Sequence, residues 1–140
     1  MVRIHDEGSE FDAPIEAIWK YLSSPDHGPA HHDRRNTTRT PVGQNVIELA
    51  GEQLIRGAWV RVRVRNTLLP PLGYASEFLE GPFAGSRQFV YYIPRGPKTG
   101  VTVVGDFVSP TLPAAEVEAT VLEVLDHAFE DDNRQLCASR

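Results

Sequence analysis

The chain has 140 residues, 41% hydrophobic and 24% charged; this is the make-up of one ordinary globular domain with a core of its own, far from that of a disordered segment. Its formal net charge of −5 argues against a general nucleic-acid or anionic-membrane binder. The lone cysteine, Cys137, excludes an internal disulfide; with no apolar signal core in residues 1–20 and no run near about 18 apolar residues, the expected setting is reducing and cytoplasmic.

Residues 2–11 read as a first strand. Asp12-Ala13-Pro14 then opens a helix in which Ile15, Ile18, Trp19 and Leu22 recur at i, i+3, i+4 and i+7, one buried stripe. Ser23-Ser24-Pro25 ends it, and residues 26–32 predict a second short helical turn limited by Gly28 and Pro29. Strands are expected at 34–40 and 46–52, on either side of the turn cluster Pro41-Val42-Gly43-Gln44-Asn45. The clearest strand is 58–68, where Val60, Val62 and Val64 alternate with Arg61, Arg63 and Arg65, giving one buried and one wet face. Strands at 73–80, 86–94 and 100–108 follow, divided by Gly81-Pro82-Phe83-Ala84-Gly85 and by Arg95-Gly96-Pro97-Lys98-Thr99.

In that last hairpin the expected register sets Ile93 against Val101, Tyr91 against Val103, Phe89 against Gly105 and Arg87 against Phe107. This set is the more apolar of the two and is assigned to the interior. The chain closes with an amphipathic helix over 112–137, capped by Thr111. Val117, Val121, Leu125, Ala128 and Leu136 share its apolar face, while Glu116, Glu118, Glu123, Asp131 and Arg134 mostly occupy the others. Such a helix is roughly 39 Å long at 1.5 Å per residue, so its apolar face needs an equally long surface, most simply a curved sheet. The element order predicts one α+β domain over 1–140, with sequential strands paired antiparallel.

The run Phe11-Asp12-Ala13-Pro14-Ile15-Glu16-Ala17-Ile18-Trp19-Lys20-Tyr21-Leu22, and the closing helix through Leu122, Leu125, Phe129, Asp132 and Leu136, resemble the START-like, or SRPBCC, superfamily. That superfamily takes in pollen-allergen proteins, lipid-transfer domains and aromatic polyketide cyclases. The resemblance implies a helix-grip fold: a seven-stranded antiparallel sheet wrapped around a long C-terminal helix, with two short helices after the first strand and a cavity between sheet and helix. It implies no single activity, since members bind lipids, plant hormones, polyketides or quinones, and no catalytic constellation carries across.

A curved sheet under one helix leaves concave surface to be filled by large side chains or by a ligand. The expected lining is Val62, Val64, Phe78, Phe89, Tyr91, Val103 and Phe107 from the sheet, with Val121, Leu125 and Phe129 from the helix; the plainer alternative is a dry core. The resemblance implies that His31 and His32 lie at the cavity entrance and Phe83 at its rim as a gate, while strand alternation puts Arg87 near a strand end on the inner face. His27, His31, His32 and Asp33 are the one ligand-like cluster, but no metal motif accompanies them and a polar turn is the plainer reading, so no metal and no cofactor is expected. Glu77, Glu80 and Asp106 are weak acid–base candidates, since Glu77 and Asp106 fall on the expected outer face. Trp59 beside the Arg row offers a protein-interaction surface, a homodimer contact among the options. The leading expectation is a protein that binds an apolar, aromatic or lipid-like small molecule. A polyketide cyclase/dehydratase-like enzyme and an interaction module using the outer sheet face are the alternatives.

Overall fold

A computed structural model describes residues 1–23 and 31–138. The elements run β1 (Val2–Phe11), α1 (Ile15–Leu22), β2 (Arg34–Gly43), β3 (Val46–Ile55), β4 (Ala58–Leu69), β5 (Gly73–Glu80), β6 (Arg87–Arg95), β7 (Lys98–Phe107) and α2 (Ala114–Ala138). All seven strands form one antiparallel sheet in the order β1-β7-β6-β5-β4-β3-β2. Short turns make each strand from β2 to β7 the neighbour of the next, and a crossover brings β1 beside β7. The expected α+β helix-grip architecture is therefore present. Of the two short helices expected after the first strand, α1 is found; the second lies largely outside the described residues, and residues 32 and 33 form a turn. No helix among the described residues is long and apolar enough to cross a membrane.

The start of α2 differs from the expected cap at Thr111. The helix begins at Ala114, and the Glu116 N–H donates to the Pro113 carbonyl at 2.9 Å. Ser109 Oγ instead accepts from the N–H groups of Thr111 (3.2 Å) and Leu112 (2.8 Å), holding the turn that precedes the helix.

The register of the last hairpin is one residue from the expected one on the β6 side. Arg95 pairs with Lys98 across Gly96-Pro97, which sets Tyr92 opposite Val101, Val90 opposite Val103 and Gln88 opposite Gly105. The inner residues of β7 are as expected, but those of β6 are Gln88, Val90 and Tyr92. Because side chains alternate with period two, Arg87, Phe89, Tyr91 and Ile93 turn to the outer face together. Gly105 makes room for its own neighbours: a Cβ there would sit 2.6 Å from the Arg87 carbonyl oxygen and 2.7 Å from the Phe107 ring.

The outer face of β4 is a ladder of ion pairs. Arg61 and Arg63 reach Glu80 at 3.6 and 3.1 Å, and Arg65 reaches Glu48 at 2.8 Å. Trp59 is covered by the Arg35 guanidinium, 4.1 Å from its ring centroid. The core divides in two. Ile4, Ile55, Phe83, Phe107, Val117 and Val121 pack around the N-terminal half of α2. Phe11, Ala13, Ile18, Leu22, Val90, Tyr92, Val103 and Leu136 pack around its C-terminal end and α1. The helix is thus held at both ends.

Candidate functional site

Beneath the middle of α2 lies a hollow of about 290 Å³. Its floor follows from strand geometry, since every second residue of each central strand points the same way. β4 contributes Val62, Val64, Asn66 and Leu68; β5 contributes Tyr74, Ser76 and Phe78; β6 contributes Gln88, Val90 and Tyr92; β7 contributes Val101 and Val103. The roof is Val121, Val124, Leu125, Ala128, Phe129 and Asp132 of α2, again at helical spacing. Phe107 and Phe83 close one end, their rings edge to face at 6.2 Å. At the other, Phe11 stacks on Phe129 with centroids 4.8 Å apart.

The walls are mostly apolar, but polar groups converge at the α1 side. Asp132 Oδ1 accepts from the Tyr21 hydroxyl at 2.9 Å and lies 2.7 Å from His31 Nε2, which donates to it when the carboxylate is ionised. Tyr74 and Tyr92 lie beside each other, their rings tilted with centroids 6.3 Å apart. Burial pushes the Tyr74 hydroxyl up to about 12, with the Asp132 carboxylate adding to the effect. Tyr92 is raised well above the ordinary phenol range, by burial first and then by Tyr74 and Asp132. Tyr21 is raised for the same two causes, burial and Asp132. All three phenols therefore remain protonated donors at neutral pH. Further in, Ser76 Oγ donates to Asn66 Oδ1 at 2.6 Å, and Gln88 Nε2 approaches Ser76 Oγ at 3.5 Å. Gln88 Oε1 is buried without a hydrogen-bond donor among the described residues. Asp6, on β1, also lines the hollow; burial and the nearby Asp126 raise its carboxyl.

The hollow brings together Val62, Val64, Phe78, Val103, Phe107, Val121, Leu125 and Phe129, along with His31 and Phe83. It does not include Phe89, Tyr91 or Arg87. The β6 register turns all three outward: Phe89 and Tyr91 stack on each other with centroids 6.4 Å apart, and Arg87 lies exposed, 3.9 Å from Glu77. His32 is half-exposed beside the hollow, its Nδ1 2.6 Å from Asp131 Oδ2. His27 lies outside the described residues. Phe83 is 6% exposed and packed in the core. Glu77, Glu80 and Asp106 are all engaged by arginines on the outer face, Asp106 by Arg3 at 3.1 Å.

Sequence reasoning missed the tyrosines and the Asp131-Asp132 pair. Tyr74 and Tyr92 sit at alternate positions on their strands and carried the required period, but Tyr92 was masked by the competing set at 87, 89, 91 and 93. Asp131 belongs to the expected polar faces of the closing helix, yet it is fully buried. It follows Val117 by 14 residues, which is close to four turns at about 3.6 residues each, so its place on the apolar stripe was readable.

No protein-family model matches the chain, and no curated protein matches it by sequence. Solved structures do match in shape. The aromatase/cyclase Zhui from Streptomyces sp. R1128 superposes with a TM-score of 0.79 at 14% identity, over 96% of this chain and 94% of that one. A START superfamily protein from Mycobacterium smegmatis gives 0.76 at 16% identity over 99% of both chains. Ara h 8.0201 gives 0.76 at 10% identity over 98% of both. The chain has the START-like helix-grip fold that these proteins share.

Proposed function

We propose that the protein binds an apolar or aromatic small molecule in the hollow between sheet and helix. One observation carries the reading: an apolar space of about 290 Å³ ends in a convergent group of protonated hydroxyls. Ligand sites combine mostly apolar walls with a few fixed polar groups, and they run from roughly 300 to 1,000 Å³. This hollow stands at the small end of that range, so it suits a compact ligand rather than a long two-chain lipid. Val62, Val64, Phe78, Val103, Phe107, Val121, Leu125 and Phe129 supply apolar contact, while Tyr74, Tyr92 and Gln88 fix orientation. Burying about 200 Å² of apolar ligand surface contributes roughly 5 kcal/mol at about 25 cal/mol per Å².

A thermal-shift screen with lipids, quinones and fused-ring aromatics tests this. A ligand at about 100 times its Kd adds roughly 2.7 kcal/mol of stability. Val64→Trp, which fills the hollow, is expected to fold and to lose that shift. Absence of a hit from every class, or a shift that survives Val64→Trp, overturns the reading.

A cyclase- or dehydratase-like enzyme is the second reading, favoured by the neighbouring Tyr74 and Tyr92 hydroxyls. Donors held neutral in a water-poor site stabilise a developing enolate oxygen, and confinement orders a flexible substrate. Turnover of a polyketide-like substrate that falls at least tenfold in Tyr92→Phe, with binding retained, identifies the enzyme.

A further inference from the structure

We propose that His31, Asp33 and Asp131 form a binding site for a divalent transition metal ion, with Zn²⁺ as the fitting probe. The three residues come from the segment before β2 and from α2, and each is at most 2% exposed. One donor atom from each lies within 4.8 Å of the other two. Donor atoms around a tetrahedral zinc with bonds of about 2.0 Å are roughly 3.3 Å apart, so small side-chain rotations close the set.

Asp33 is the telling member. Its Oδ1 is buried with no hydrogen-bond donor among the described residues, an arrangement that is costly for a carboxylate unless a cation answers it. Asp131 is partly answered. Its Oδ2 takes the His32 backbone N–H at 3.2 Å and lies 2.6 Å from His32 Nδ1. The exposed Arg134 guanidinium comes within 3.1 Å of its Oδ1 but makes no hydrogen bond to it. Neither group reaches Asp33.

Two further features fit an ion. His31 gives Nε2–H to Asp132 at 2.7 Å and turns Nδ1 toward Asp131, 4.0 Å from Oδ2. A carboxylate on the far ring nitrogen is how metal-binding imidazoles are oriented and made more basic. Beside Asp33 there is also a small pocket of about 20 Å³, lined in part by Thr120, Glu123 and His127. That is room for one water, the fourth ligand that a three-residue site needs. One imidazole with two carboxylates suits zinc or manganese, and the absence of thiolate disfavours copper(I). The ion would fasten the start of β2 to α2 at the edge of the ligand hollow, independently of whether a small molecule is bound.

The test uses chelator-treated full-length protein titrated with ZnCl₂ by calorimetry, with thermal unfolding in parallel. One Zn²⁺ per chain is expected, with a rise of several degrees in Tm. Asp33→Asn is expected to weaken binding at least tenfold while the metal-free Tm stays level or rises, because one of two neighbouring buried carboxylates is removed. Asp132→Asn, which changes the partner that orients His31 without removing a ligand of the ion, is expected to weaken binding by about 10- to 100-fold. Zinc binding that is equal in wild type and Asp33→Asn overturns the proposal. So does binding that is abolished by His127→Ala and kept by Asp33→Asn, which takes Asp33 out of the ligand set.

Discussion

Gln88→Met exchanges a side chain of the hollow whose buried polar atom is left over among the described residues. Gln88 Oε1 is buried and accepts no hydrogen bond from the described residues, and Nε2 reaches Ser76 Oγ only at 3.5 Å. Leaving a buried carbonyl unmet costs about 1–3 kcal/mol, whereas so long a neutral hydrogen bond returns at most about 0.5 kcal/mol. Ser76 keeps its stronger bond to Asn66 at 2.6 Å, so it is not orphaned by the change. Methionine has nearly the same length and no group to satisfy. The net expectation is a gain of about 1–2 kcal/mol, or about 3–8 °C in Tm for a chain of this size. Urea unfolding followed by circular dichroism measures it, with an unchanged m-value as the control for two-state behaviour. If Oε1 is kept for a ligand donor, affinity for that ligand falls about 10- to 100-fold as stability rises. A loss of more than about 1 kcal/mol in the variant refutes the reasoning, because it shows that the carbonyl is already satisfied in the ligand-free protein.

Other expectations follow from the same geometry. Phe107→Asp puts an unpaired carboxylate where a 1% exposed ring packs on Phe78 and Phe83; at about 5 kcal/mol or more it is expected to leave the chain unfolded by circular dichroism. Val104→Asp, on the 42% exposed outer position, is expected to cost less than about 1 kcal/mol, and equal effects of the two would disprove the β7 face assignment. Arg87→Ala is expected to change stability by less than about 0.5 kcal/mol and to leave ligand shifts intact; a lost shift would return Arg87 to the interior. At high pH the phenols set the trend. Unfolded tyrosines ionise near about 10, while Tyr74 keeps its proton to about 12 and Tyr92 and Tyr21 keep theirs longer. The unfolded state then releases protons that the folded state still holds, so stability is full below about 10 and falls as pH rises above it. A urea midpoint that is flat between about pH 9 and pH 11 would contradict the buried state of these hydroxyls.

Much of the architecture was legible because it rests on alternation with unlike partners. Val60, Val62 and Val64 against Arg61, Arg63 and Arg65 admit one orientation, and the charged set finds Glu48 and Glu80 across the sheet. β6 was not legible for the opposite reason. Phe89, Tyr91 and Ile93 are as apolar as Val90 and Tyr92, so hydrophobicity does not choose between faces. The choice falls to the turn, where Arg95 meets Lys98 around Gly96 at φ 65°; a difference of one residue there exchanges every side chain of the strand. The cavity residues on β4, β5, β7 and α2 were within reach of periodicity, and the convergence of the polar end was not. Tyr21, His31, Tyr74, Tyr92 and Asp132 come from five separate segments, and only tertiary structure brings them together.

The two-point anchoring of α2 decides which wall can yield. Its close contacts run to β1 and α1, and each half is tied into its own packed cluster. The β2–β3 hairpin, by contrast, forms the far margin of the sheet, and its pairing slips at two places, between Arg35 and Thr38 and between Pro41 and Gly43. Ile47, Leu49 and Arg39 of that hairpin still face the hollow. If the hollow holds the proposed guest, its size is set from the margin: exchanges at Ile47 and Leu49 are expected to retune which molecules fit, while the rod overhead keeps its place.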